Sequence, residues 1–128
     1  MTLQVNLFFR DPDTCEVTRV EAPAASAPHA SEPTLAGPEI WRTQLWSSEW
    51  AVQHGAVFLS QLAQNDLYVE HNQLSEFRDE CLFFVEHSAE LEKAAGQVGS
   101  EQTIRSRLAN FINAIDQAIE KKCGILIG

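Results

Sequence analysis

Leu3, Val5, Leu7 and Phe9 alternate with Gln4 and Asn6 at the start of the chain, and a period of two puts one apolar row on one face of a strand. Residues 10–14, RDPDT, supply turn chemistry, because Pro12 presets φ and the flanking Asp side chains bond nearby backbone. Residues 15–20 are expected to return as the hairpin partner. Residues 40–46, IWRTQLW, are apolar and aromatic enough for a further strand, after which Ser47 or Ser48 caps a helix predicted to reach residue 63. Its stripe is Ala51, Gly55, Phe58, Leu59 and Leu62. Residues 66–70, DLYVE, read as a short strand.

The spacing of Leu74, Phe77, Cys81, Phe84 and Val85 predicts a helix over 73–93. Gly96 and Gly99 interrupt the pattern. Ser100 then caps a last helix with the stripe Ile104, Leu108, Phe111, Ile112, Ile115 and Ile119, and Lys121 and Lys122 in its final turn complement the helix dipole. Gly124 is expected to stop it before a terminal strand over 125–127. The order β-β-β-α-β-α-α-β predicts an α+β fold, a small mixed or antiparallel sheet of about four to five strands with three helices packed on it. A chain of 128 residues is ordinary for one such domain, 1–128. Residues 22–38, APAASAPHASEPTLAGP, hold four of the five prolines and little that packs, so a mobile excursion is expected there.

Composition narrows the class. With 45% hydrophobic and 21% charged residues the chain is globular, and no apolar run approaches the roughly 18 to 20 residues of a spanning helix. Without a basic n-region and cleavage site at the start, a cytoplasmic location and no membrane partner are expected. The net charge of -9 argues against a nucleic-acid partner, whose phosphates are held by Lys and Arg, and favours basic partners. Cys15, Cys81 and Cys123 are widely spaced, with no C-x-x-C pair, and read as free buried thiols.

Catalytic and cofactor chemistry finds no motif. His29, His54, His71 and His87 lack the H-x-x-x-H spacing that aims two imidazoles from one helical face, so no metal is expected. No G-x-S-x-G, P-loop or dinucleotide fingerprint occurs, so no cofactor and no enzymatic activity are expected. Asp66, Glu70 and His71 at a strand end are the one arrangement that could serve general-base chemistry. Trp41, Trp46 and Trp50 fit either a core or a recognition surface.

The charge itself is lopsided. Residues 66–92 carry Asp66, Glu70, Glu76, Asp79, Glu80, Glu86, Glu90 and Glu92 against Arg78 alone. At 3.6 residues per turn the outward side of the 73–93 helix holds Glu76, Asp79, Glu86 and Glu90, with Phe83 among them and His87 at the margin. A Phe amid carboxylates opposite the core stripe marks either a partner-binding face, the six residues Glu76, Asp79, Phe83, Glu86, His87 and Glu90, or a helix covered on both sides. On the last helix the outward row Ser106, Asn110, Asn113 and Gln117 is polar and uncharged, which suits specific hydrogen bonding, either to a neighbouring loop or across an interface.

Residues 45–49, LWSSE, then DLYVE at 66–70, the acidic helix, residues 110–114 and the closing GILIG resemble small bacterial α+β immunity proteins of polymorphic toxin systems, over residues 45–128. That resemblance implies a non-enzymatic, stoichiometric inhibitor that binds a basic toxin domain and blocks its active site. The alternative is a structural or assembly protein, a homodimer or larger homo-oligomer, that buries Phe83 between copies.

Overall fold

In the computed structural model, which describes residues 2–24, 33–96 and 99–128, the chain forms an α+β fold with one antiparallel sheet. Strand β1 (Thr2–Arg10) buries Leu3, Val5 and Leu7 as the alternation predicts. Strand β2 (Val17–Glu21) pairs with its second half and β3 (Leu35–Pro38) with its first. The other edge of β1 pairs with β5 (Gly124–Ile127), which in turn pairs with β4 (Leu67–Val69). Thus β2 and β3 share one edge of β1, and the chain between them leaves the sheet and returns to it.

Residues 25–32 of the expected mobile excursion lie outside the described residues. Its two described ends are tied down. Gln117 on helix α5 (Glu101–Lys121) accepts from the Ala24 amide at 2.9 Å and donates to the Ala24 carbonyl at 2.8 Å, which Asn113 also reaches at 3.0 Å. Asn110 donates to the Leu35 carbonyl at 2.8 Å, so the polar row of the last helix holds its own chain. Pro23, Ala36 and Gly37 are buried, and residues 35–38, expected in that excursion, are strand β3.

The strand expected over 40–46 is replaced by a helical turn, α1 (Trp41–Gln44). Trp41, Leu45 and Trp46 are buried, a helical spacing, and Arg42 on the other side fixes the turn. Its guanidinium reaches Glu39 at 2.9 Å, Asp66 at 2.7 Å and the carbonyls of Leu62 and Asn65. Trp41 lies so close to Gly37 and Gly99 that a Cβ on either would stand 2.2 Å from its ring.

The helix expected over 47–63 also breaks. Ser48 caps α2 (Glu49–Gln53), accepting from the Ala51 amide, but Gly55 at φ +98° turns the chain out and is exposed rather than part of a stripe. A short 3-10 helix, Leu59–Ala63, follows. The helix expected over 73–93 is two, α3 (Leu74–Glu86) and α4 (Ser88–Ala94), bent at His87 (φ -115°, ψ 25°). Lys122, at φ +56°, takes the left-handed cap of α5 that the sequence gives to Gly124; Gly124 is in β5, where a Cβ would meet the Phe8 ring at 2.5 Å.

Helices α3 and α5 pack together, and α5 also lies on β1, β3 and β5. Between them the core joins Leu3, Val5, Ile125 and Ile127 to Ile104, Leu108, Phe111 and Ile115, with Trp46, Phe77 and Phe111 in ring contact. Cys81 and Cys123 are buried, but Cys15 is exposed in the hairpin turn at φ +61°, where no core reaches it. Among the described residues no helix is long and apolar enough to cross a membrane.

Ile115 is fully buried, whereas Ile112 is half-buried and Ile119 is 43% exposed, so the stripe of α5 is narrower than its spacing suggests. Ile115→Ala should cost about 2 to 5 kcal/mol in chemical denaturation, and Ile112→Ala about 1 to 2 kcal/mol. Equal losses would place both in the core. Replacing Asn113 and Gln117 together by Ala should cost about 1 to 2 kcal/mol. Amide exchange at Ala24 should accelerate as well, and unchanged exchange there would show that the docked end is held by other contacts.

Candidate functional site

The acidic run is not one surface. Asp66 pairs with Arg42 and Glu70 with Arg10 at 2.9 Å. Glu70 also forms a reciprocal capping box with Gln73 where a 3-10 turn, His71–Gln73, leads into α3. His71 places Nδ1 3.2 Å from the Cys123 carbonyl. The three residues of the general-base arrangement therefore bind structural partners, not each other. Glu92 accepts from the Glu101 amide at 2.9 Å, at the first turn of α5.

Glu80, counted in the acidic run but given no role by the sequence, is the carboxylate that the fold uses internally. It is buried, with Oε1 accepting from the amides of Val57 at 2.7 Å and Phe58 at 3.0 Å, and Oε2 from Leu59 at 2.9 Å. Three successive N–H groups ahead of the 3-10 helix thus converge on one carboxylate, the favourable end of a helical turn for an anion. Burial pushes the Glu80 carboxyl above its ordinary range, and the three amides pull it part of the way back. A signal was available, since Glu80 stands three residues after Phe77 and four before Phe84, inside the apolar stripe.

What remains outward on α3 is Glu76, Asp79 and Glu86, all exposed, with Leu82 37% exposed between them. Arg78, the single cation of the run, is held by Asp116 on α5 at 2.8 Å. Glu90 is exposed too, but the bend at His87 puts it on α4, so helical phase along α3 does not fix its direction. Among the described residues, Glu76, Asp79, Glu86 and Glu90 form no ion pair.

Phe83 is neither free-standing nor core. It is half-buried, stacked on His87 with centroids 4.2 Å apart and edge-on to Phe84 at 5.3 Å. Across the seam Trp50 of α2 leans on Phe84 at 6.1 Å and stacks on His54 at 4.1 Å. Both histidines end a helix, and each sets Nδ1 2.8 Å from the carbonyl four residues earlier, that of Trp50 or of Phe83. The sequence carries the signal twice, as an aromatic residue followed four positions later by His.

The site is suited to contact more than to chemistry. Burial raises the Cys81 thiol well above its ordinary value and the Cys123 thiol less, so neither is held as a thiolate. No group of three or more His, Cys, Asp or Glu side chains among the described residues could hold a metal ion. No protein-family model matches the chain, and no curated protein or solved structure matches it significantly.

Glu80→Gln should cost about 1 to 3 kcal/mol at neutral pH, because the amide presents a donor where one backbone N–H needs an acceptor. The pH dependence has a definite sign. A carboxyl raised in the folded state holds its proton more tightly there, so ionising it costs stability above the folded-state pKa, and that cost disappears as pH falls towards the unfolded value. The stability of the wild type minus that of Glu80→Gln should therefore grow on acidification from neutral pH. Urea titrations of both proteins across that range read the difference, and a shrinking one would mean that the amides outweigh burial.

Proposed function

We propose that this protein is a non-enzymatic binding module that grips a basic protein partner with the outer face of α3 and the start of α4, as immunity proteins grip toxins. The observation that carries this is the uneven pairing of its carboxylates. Asp66, Glu70, Glu80 and Glu92 all satisfy partners within the fold, while among the described residues Glu76, Asp79, Glu86 and Glu90 form no ion pair. Like charges at close helical spacing, such as Glu76 and Asp79, cost a helix a few tenths of a kcal/mol, and among the described residues no ion pair offsets that cost. A positively charged partner would.

Half-exposed Phe83, in the midst of these charges, supplies the apolar contact from which a bound partner would exclude water. The carboxylates act at longer range, drawing a basic domain in and turning acidic competitors away. The resemblance of residues 45–128 to immunity proteins supports a bacterial toxin domain as that partner. A homo-oligomer burying Phe83 is the competing reading.

The test uses the full chain and the basic domain that co-purifies with it from its native host. Phe83→Ala should weaken binding by about 2 kcal/mol or more, and because Phe83 is half-buried it should also cost some folding stability, so binding is measured on protein shown to be folded. Asp79→Lys with Glu86→Lys should chiefly slow association and flatten its salt dependence. Unchanged affinity in both variants would remove this face as the site. Light scattering that finds a stable dimer of the wild type, lost in Phe83→Ala, would favour the homo-oligomer.

A further inference from the structure

The rings of His54, Trp50, Phe84, Phe83 and His87 follow one another across the seam between α2 and α3, with successive centroids 4.1, 6.1, 5.3 and 4.2 Å apart; the middle ring, Phe84, is buried, and the Trp50–His54 and Phe83–His87 stacks on either side of it are the ones that reach solvent. A carbonyl oxygen can only accept, so the Nδ1 atoms of His54 and His87, 2.8 Å from the carbonyls of Trp50 and Phe83, carry the hydrogen. In the neutral rings Nε2 is then an acceptor. The unpaired carboxylates beside the run are acceptors as well. Besides the Trp50 indole N–H, these side chains offer acceptors and π faces, and Val52 of α2 and Val57 beyond it are 53% and 66% exposed.

The complement of such a surface is a planar cation that only donates. A guanidinium fits on every count, because it carries five N–H donors and no acceptor, stacks on aromatic faces, and sheds its water more easily than an ammonium. We propose that the partner face extends beyond α3 to Trp50 and His54 of α2, and that it receives an arginine side chain laid across this ring run. The guanidinium stacks on the exposed ring surface and donates to a histidine Nε2 and a neighbouring carboxylate, while its aliphatic stem lies against the valines. This rests on the binding-module reading and specifies the chemistry of its partner. Lysine matches the charge but has no flat face to stack.

The experiment titrates acetyl-Leu-Arg-Leu-amide, and the same peptide with lysine or citrulline in place of arginine, into the full chain labelled with 15N. The readouts are the Nε2 signals of His54 and His87 and the indole N–H of Trp50. The arginine peptide should shift all three in a saturable way at millimolar concentration. Its lysine counterpart should bind several-fold more weakly and citrulline not measurably. His54→Ala, an exposed position that leaves folding intact, should weaken the arginine peptide several-fold, and Trp50→Ala should do so in whatever fraction remains folded.

Equal affinity for arginine and lysine, or absence of saturation with arginine, overturns the proposal. Shifts confined to residues 76–90, with His54 and Trp50 still, overturn it while leaving the binding-module reading intact. Failure of that reading would show separately, as unchanged affinity of Phe83→Ala for the basic domain. If raising the concentration of the protein alone moves the same three signals, a second copy occupies the surface and the arginine assignment is wrong.

Discussion

A single buried carboxylate joins the halves of this structure. Glu80 projects from α3 into the space below residues 57–59 and takes their three amides. Those amides lie just past Gly55, where the chain has left α2 and would otherwise bury unpaired donors. An ion without such partners would be costly in that position, and so would the donors without the ion. Each therefore requires the other, and the arrangement fixes the height and angle at which α2 meets α3. The aromatic surface is a consequence, because Trp50, with His54 stacked on it, reaches Phe84 only if the loop after α2 is held there.

The same economy of partners explains where charge is left over. Arg42 joins α1 to the turn before β4 through Glu39, Asp66 and two carbonyls, and Arg10 holds Glu70 at the entry to α3. Arg78 joins α3 to α5. These three arginines are thus used for architecture, and the outer carboxylates of α3 are left facing solvent. Charge of that kind contributes to encounter and selectivity rather than to folding, and the half-exposed rings beside it are what a close contact would cover.

Polar side chains on α5 do comparable work on the opposite flank. Asn110, Asn113 and Gln117 form a half-buried row in which the two asparagines are weak helix formers, yet each reaches backbone of the segments that flank residues 25–32. Their short amides match carbonyls and an N–H that charged side chains could not satisfy from the same distance. Strand β3 is thereby held against β1 despite its brevity and its glycine.

Local pattern determined the elements that are long or strictly periodic: the alternation of β1, the stripe of α5 with its Ser100 cap, the short strand at 67–69, and a terminal strand that one sheet could accept. It also determined that carboxylates gather on α3 and that a Phe sits among them. Tertiary structure decided the rest, for reasons the local pattern does not contain. Residues 41–44 became helical because Arg42 found partners twenty or more residues away. Residues 35–38 became a strand because a free edge of β1 and an amide of Asn110 were waiting for them. The path of the chain beyond the break at Gly55 depends on which carboxylate the next amides meet. A hydrophobic period records which face is buried, but a hydrogen-bonding side chain such as Glu80 declares its partner only when two distant segments are folded together.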